Sequence, residues 1–375
     1  MARLGDVASY MNGYAFKPSD WSDTGLPIIR IQDLTGNSYQ ANRYNGEYAL
    51  KYEVNQGDVL ISWSASLGVY VWQGEKALLN QHIFKVIFDK TEISKSFFVH
   101  QVENILEKAS SEAHGATMKH LTKPVFDALP FYLPPLDEQR KIAAVLDKVS
   151  DLIAKRRQQL DKLDELIKAR FVEMFGDPII NNMSWPKALI GDNCFVTKLA
   201  GFEYTQYIHY EDSGDVVMVK AQNVKKGKLN DKDISFISNE VSDSLPRSQL
   251  APGDVVMTYV GANIGDVALI DEKHKYHLAP NVAKIRPNSK VYDSTYFMYM
   301  LMFLNSYIME NSADTAKAAL GMERIRKLVV CIPPIDLQRY FSDFVKKIDK
   351  SKSVVQKSLE QLETLKKALM QEYFG

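Results

Sequence analysis

The sequence predicts an α+β chain: two pseudo-two-fold-related α/β domains separated by an antiparallel coiled coil of two long helices. Three observations carry this expectation. The chain repeats itself, the best-kept part of the repeat has heptad spacing, and the parts between are short strand-like runs that diverge between the copies. Leu133-Pro-Pro-Leu-Asp-Glu-Gln-Arg140 returns as Ile332-Pro-Pro-Ile-Asp-Leu-Gln-Arg339. From there the copies align without a gap to Met174-Phe-Gly176 and Tyr373-Phe-Gly375. Upstream, Gln56-Gly-Asp-Val-Leu-Ile61 matches Pro252-Gly-Asp-Val-Val-Met257, and Leu4-Gly-Asp6 matches Ile190-Gly-Asp192. A part kept in both copies meets something that is the same twice; a part that differs meets something that differs.

The expected domains are 1–132 and 177–331, each followed by a helix, at 133–176 and 332–375. In the first domain, residues 26–31, 58–62 and 83–88 read as strands and 96–109 as a helix. Residues 215–220, 254–258, 282–286 and 294–311 play these parts in the second. Mixed domains with mostly antiparallel sheets follow. The Pro-Pro pairs suit helix entrances, and Asp137 and Asp336 fall in the first turns, where negative charge is favoured.

Apolar residues then recur at spacings of three and four. The first series is Ile142, Leu146, Val149, Ile153, Leu160, Leu163 and Ile167; the second is Phe341, Phe344, Ile348, Val355, Leu362, Leu365 and Leu369. Roughly 36 residues at 1.5 Å each make a rod about 55 Å long. Arg156, Arg170, Ser351 and Ser358 fall near seam positions, where polar groups fix register or face a partner's helix. The first helix leaves the first domain and enters the second, so the repeat implies that the chain termini lie close together and that the helices run antiparallel.

Net charge is zero, with 46% hydrophobic and 25% charged residues. That excludes a chain whose whole surface attracts nucleic acid, but not a local basic face. No apolar run reaches the roughly 18–20 residues of a membrane span, and the first residues lack a signal peptide's apolar core. Two cysteines without metal spacing fit a reducing, cytoplasmic setting. Between the strands cluster residues able to read base edges and neutralise phosphates. In the first domain these are Lys17, Arg30, Gln32, Arg43, Tyr44, Trp63, Ser64, Asn80, Gln81 and His82, beside Tyr14, Phe16 and Trp21. In the second they are Lys198, Tyr204, Lys220, Gln222, Asn223, Lys225, Lys226, Tyr259 and Asn263, with Asn281. Before each helix, small residues precede cations: Thr117, Lys119 and Lys123 in one copy, Lys317, Arg324, Arg326 and Lys327 in the other.

Taken together, the repeated Leu-Pro-Pro-Leu-Asp-Glu-Gln-Arg, the heptad helix ending in Met-Phe-Gly, Gln56-Gly-Asp-Val-Leu-Ile-Ser62 and Asn80-Gln-His-Ile-Phe84 resemble the specificity subunits of type I restriction–modification systems. The resemblance covers essentially the whole chain. It implies two target-recognition domains, each reading one half of a bipartite, asymmetric site in double-stranded DNA. It also implies spacer helices that dock two methyltransferase subunits carrying S-adenosylmethionine, joined by endonuclease/translocase subunits. No cofactor belongs to this chain in that picture. The half-sites would lie roughly one DNA turn (about 34 Å) apart. The second copy departs from the first with Leu337 in place of Glu138, and with Asn281-Val-Ala in place of Asn80-Gln-His.

Motifs for catalysis are missing from the sequence. The Pro-Pro pairs follow Leu and Ile rather than the Asn or Asp of an adenine methyltransferase, and no GxxxxGK[ST] loop occurs. Asp254 with Asp271-Glu-Lys273 has the residue types of a metal nuclease, a set that chance supplies readily; His274 and His277 lack a third ligand. Two alternatives stay open: the recognition fragment of a split methyltransferase–nuclease, and a structural coiled-coil interaction protein.

Overall fold

The computed structural model describes residues 2–36, 42–112, 122–305 and 319–375. The chain forms two compact units: Met1–Gln158 with Gln356–Gly375, and Gln159–Val355. Two four-stranded sheets of unit 1 are built from β1 (Ser9–Asn12), β2 (Leu26–Ile29), β3 (Arg43–Tyr44), β4 (Glu53–Val54), β5 (Val59–Ser62), β6 (Gly68–Val71), β7 (Ala77–Leu79) and β8 (Ile83–Ile87). One sheet has the order β1-β8-β5-β6 and is antiparallel. The other has the order β3-β2-β7-β4, in which β2 and β7 run parallel.

Unit 2 repeats the plan with β9 (Cys194–Lys198), β10 (Val216–Val219), β11 (Ser235–Ile237), β12 (Gln249–Leu250), β13 (Val255–Thr258), β14 (Val267–Leu269), β15 (Lys275–Leu278) and β16 (Val282–Pro287). Its sheets have the orders β9-β16-β13-β14 and β11-β10-β15-β12, with β10 and β15 parallel. Each strand of unit 2 therefore has the partners of the strand numbered eight lower.

The repeated short motifs are backbone devices. Gly57 and Gly253 have φ of 88° and 89°, the left-handed region that glycine enters without strain. Asp58 and Asp254 close the same turns by accepting from Asn55 N and Ala251 N, both at 2.8 Å. The strands that follow, β5 and β13, are wholly buried. Along β5, Val59 and Ile61 join a cluster with Phe97 and Phe98, and Leu60 joins another with Ile29 and Leu79, as period-two alternation requires.

Four longer helices matter here: α1 (Lys95–Glu112), α2 (Leu136–Phe175), α3 (Ser294–Phe303) and α4 (Ile335–Phe374). Both α2 and α4 are 40 residues long and uninterrupted. In unit 1 the start of α2 packs antiparallel to the end of α4: Ile142 and Leu146 share a cluster with Met370, while Arg157 pairs with Glu363 at 2.7 Å. In unit 2 the end of α2 meets the start of α4, where Phe171 lies edge-on to Phe341 at 5.5 Å and Lys352 pairs with Asp164. Val149, Ile153, Ile167 and Val355 are buried, and Leu160, Leu163, Phe344, Ile348 and Leu362 partly so. The Arg156 guanidinium donates to Ser358 Oγ at 3.3 Å, so two polar seam residues satisfy each other. Arg170 pairs with Glu173 at 2.8 Å, and Ser351 donates to the Lys347 carbonyl. Ala2 and Phe374 pack against one cluster in unit 1, which brings both ends of the chain to it.

The motif glutamines lock helix entrance to domain. Gln139 accepts from Ser94 N at 3.0 Å and donates to Pro134 O at 2.8 Å. Gln338 accepts from Asp293 N at 2.9 Å and donates to Pro333 O at 2.8 Å.

Three expectations need correction. Leu365 is not a seam residue: it is 46% exposed, and heptad spacing from Val355, Leu359 and Leu362 places Lys366 there instead. The Lys366 ammonium reaches Glu103 on α1 at 2.8 Å. The strand expected at 26–31 ends at Ile29, because Arg30 opens a one-turn helix, Ile31–Leu34. The helix expected at 294–311 is described to Phe303; residues 306–311 lie outside the described residues.

Candidate nucleic-acid interface

The carboxyl ends of the parallel pairs gather loop side chains in each unit. In unit 1, Asn80 N donates to Ile29 O at 3.1 Å, Gln81 N to Tyr14 O at 2.8 Å, and Trp63 N to His82 O at 3.2 Å. These bonds bring together the segments 12–16, 30–33, 63–66 and 80–82. Loops fixed by a sheet in this way can hold recognition side chains in register. Arg30 lies 5.4 Å from the Trp21 ring and 3.8 Å from Asp33, whose carboxylate accepts the Arg30 backbone N–H at 2.7 Å. The Trp63 indole donates to Asn12 Oδ1 at 3.3 Å and stacks on Phe84 at 5.6 Å. The Asn80 amide oxygen is buried without a hydrogen-bond partner among the described residues. Gln32 and Gln81 are partly exposed; Tyr14 and Lys17 are exposed.

Unit 2 makes two of the three equivalent bonds, since Pro280, in the place of Gln81, has no N–H to donate. Ala279 N donates to Val219 O at 3.2 Å and Tyr259 N to Asn281 O at 2.9 Å. Lys220 follows β10 as Arg30 follows β2, and its backbone N–H donates to Asn223 Oδ1 at 3.2 Å. The Lys220 ammonium lies 5.9 Å from the Tyr210 ring and donates to Ser235 at 3.0 Å. Lys198 lies 5.4 Å from the Tyr259 ring. Tyr204 packs on Tyr210 at 6.1 Å; burial, then Tyr204, pushes the Tyr210 phenol up to about 12. Gln222, Lys225, Lys226 and Asn263 are exposed.

Backbone register corrects the alignment of the copies. His82 and Asn281 share a φ of 70° and accept from Trp63 and Tyr259. Asn281 is thus the counterpart of His82, and Ala279 that of Asn80. Asn80 and Asn281 are therefore not equivalent, because the ladder fixes equivalence and side-chain type does not.

Several sequence candidates stand elsewhere. Arg43 and Tyr44 flank the start of β2, where Arg43 donates to Gly25 O at 2.8 Å and to Glu75 at 3.0 Å, and Tyr44 to Glu47 O at 3.0 Å. Ser64 is buried. Asn223 is buried too, its amide donating to Asn230 O at 3.0 Å and Lys232 O at 2.9 Å, so it ties a loop. Lys123 pairs with Asp127 at 2.5 Å. Arg324 and Lys327 are exposed at the short helix Met322–Arg326. Thr117, Lys119 and Lys317 lie outside the described residues. Sequence reasoning missed Asn12 and Tyr210: Asn12 ends a four-residue strand with no alternating pattern, and Tyr210 follows a short helix, Gly201–Tyr207.

The nuclease-like carboxylates are structural. Asp254 forms a bidentate pair with Arg286, and Asp271 accepts from Tyr276 at 2.7 Å. Among the described residues, no three His, Cys, Asp or Glu side chains gather as a metal site, and no helix is long and apolar enough to cross a membrane.

Residues 1–165 and 197–364 match the model of the type I restriction modification DNA specificity domain. The EcoBI specificity subunit of Escherichia coli is 23% identical over 89% of this chain and 76% of its own length. The MjaVIII specificity subunit of Methanocaldococcus jannaschii is 24% identical over 99% and 90%. The crystal structure of a type I restriction–modification S subunit from M. genitalium shares the fold with a TM-score of 0.57 at 12% identity, covering 100% of this chain and 95% of that one. A structure from work on complex assembly of the type I system gives 0.52 at 17% identity, covering 100% and 96%.

Proposed function

This chain belongs to the type I restriction modification DNA specificity family, and we propose from that premise that it reads a bipartite, asymmetric site in double-stranded DNA as the specificity subunit of such a system. One observation supports the bipartite reading above others. The same edge, at the carboxyl ends of a parallel strand pair, occurs twice in one chain; Gln32 and Gln222 match, while Asn80, Gln81 and His82 of one copy stand where the other has Ala279, Pro280 and Asn281. Unit 1 offers Arg30, Gln32, Asn80, Gln81 and His82; unit 2 offers Lys220, Gln222, Lys198 and Asn281. Amide and imidazole side chains have the donor and acceptor sets of major-groove readers, and the cations beside them can neutralise phosphates.

In this reading the chain supplies recognition and its partners supply chemistry. The two long helices dock two methyltransferase subunits, which bind S-adenosylmethionine and methylate adenine, and endonuclease/translocase subunits join that core. The domains at 1–132 and 177–331 read the half-sites, and 133–176 and 332–375 act as spacers. Inserting one helical repeat into α2 and α4 would change the gap and keep the half-sites.

Methylome sequencing of cells expressing the chain with and without its methyltransferase partner tests this directly. A new methyladenine at one gapped, asymmetric motif, present only with both chains, is the expected result. An active methyltransferase in a folded complex that marks no motif would overturn it.

A further inference from the structure

Positions made equivalent by backbone hydrogen bonds can be compared between the two edges, which gives a control that a single domain lacks. Arg30 and Lys220 occupy one such position, directly after the parallel strands β2 and β10. Both are cations, and both donate their backbone N–H to the side chain three residues on, the Asp33 carboxylate, which also lies 3.8 Å from the Arg30 guanidinium, in one unit and the neutral Asn223 amide in the other. Both lie against a half-exposed aromatic ring, Trp21 in one unit and Tyr210 in the other. Those rings come from loops of different sequence and structure, so the pairing has been built twice.

Three other equivalent positions differ in chemistry. Asn12 and Lys198 stand opposite Phe84 and Ala283 on matching strands. Trp63 and Tyr259 each donate their backbone N–H to the left-handed residue, His82 or Asn281. In unit 1 the first two meet as an amide accepting from an indole; in unit 2 they meet as an ammonium over a phenol ring.

DNA presents features of both kinds: phosphates are alike at every half-site, and base edges differ. We infer that Arg30 and Lys220 are phosphate-binding residues, one per half-site, and that Asn12–Trp63–His82 and Lys198–Tyr259–Asn281 are the base-reading sets that make the half-sites unlike. This rests on the DNA reading proposed above. The Arg-to-Lys change between units supports the division. Lysine lacks arginine's planar fork, so the role the two share at this position is that of a positive charge, which every phosphate attracts; Lys198, at a position whose chemistry differs between the units, can still read a base edge through its ammonium donors. The ring beneath each cation holds it in place and reduces the freedom lost on binding.

The experiment uses the full chain with its methyltransferase partner and two duplexes of equal length, one selected from a randomised pool and one scrambled. Affinity for both is measured over a series of potassium chloride concentrations. R30Q and K220Q should each weaken binding to both duplexes by a similar factor and lower the slope of log affinity against log salt by about one. The motif selected from the pool should stay unchanged, and R30K should keep the wild-type slope. N12A and N281A should each relax the motif within one half-site and leave the slope alone. A base change in the motif of R30Q or K220Q, or an unchanged slope in folded protein, overturns the phosphate assignment. An unchanged motif in both N12A and N281A overturns the base-reading sets. A wild-type complex that selects no motif overturns the DNA reading itself, which separates the two failures.

Discussion

Helices α1 and α3 hold equivalent places and share one edge-on ring contact with the long helices, Phe97 with Phe374 and Tyr296 with Phe175, yet further along they dock by different means. Counted from Ser94 and Asp293, whose backbone N–H groups meet Gln139 and Gln338, His100 and Glu103 of unit 1 correspond to Tyr299 and Met302 of unit 2. In unit 1, His100 lies 2.8 Å from Asp147, which also accepts from Ser96 at 2.5 Å, and Glu103 pairs with Lys366. In unit 2 the same layer is aromatic. Phe171 stacks on Phe303 at 4.4 Å and on Tyr296 at 5.7 Å, and Tyr299 lies edge-on to Phe341 at 5.4 Å. Duplication has kept the contacts that satisfy backbone groups, while the side-chain layer has been free to exchange charge for rings. A buried N–H has few substitutes for its acceptor, whereas an interface has many ways to fill its volume.

The largest expected effect tests the aromatic layer. Phe171 is fully buried, and F171A should destabilise unit 2 by about 4 kcal/mol, with M370A at the matching place in unit 1 costing about 3 kcal/mol. Guanidinium unfolding with unit-resolved hydrogen exchange would measure both. A smaller loss for F171A than for M370A would break the contrast drawn here.

The shared part should respond equally. Gln139 and Gln338 are both buried, and Q139A and Q338A should each cost about 2 kcal/mol, since each strands a donor and an acceptor at a helix entrance. Thermal unfolding of the two variants side by side is the measurement. A clear difference between them would mean that the entrances are not equivalent.

What the sequence revealed follows this same division. The Pro-Pro-x-Asp-x-Gln repeat and the Gly-Asp turns were legible because each residue type answers a backbone demand: a helix entrance, a positive φ, an unpaired N–H. The family resemblance rested on these, and the fold class and the twice-built plan followed. The edge proposed to meet DNA was harder to read. Arg30, Asn80 and His82 come together only through strand register, and nothing local separates them from Arg43 or Asn223, which the fold uses for its own loops. For the same reason the sequence does not reveal that Asn281 stands in the place of His82 rather than of Asn80.

Charge exchanged for rings should make unit 1 sensitive to pH where unit 2 is not. Burial alone would raise the Glu103 pKa, but hydrogen bonds and charge from His100 and Lys366 outweigh it and hold the carboxyl at about 2, below its ordinary 4.5. A depressed carboxylate contributes stability that is present above its unfolded pKa and lost as pH falls through the folded one. The loss should therefore spread from pH 4.5 down to about 2. The carboxylate is 37% exposed, so solvent screening reduces the expected contribution to about 1 kcal/mol. Exchange protection of α1 should fall over that window in the wild type and stay flatter in E103Q. Equal acid sensitivity in α1 and α3 would remove the distinction.

The smallest effect sharpens the register on which the comparison depends. If the α4 seam runs Val355, Leu359, Leu362 and then Lys366, a leucine one residue early has no partner to leave, and L365E should change stability by under about 0.5 kcal/mol. L362E, at a half-buried seam position, should cost several times more. Leu166, the counterpart of Leu365 in α2, is also 46% exposed, so L166E should be equally mild. A severe L365E with a mild L362E would shift the seam by one residue. The Lys366 ammonium would then lose the position from which it reaches Glu103, and the charged layer of unit 1 would need another origin.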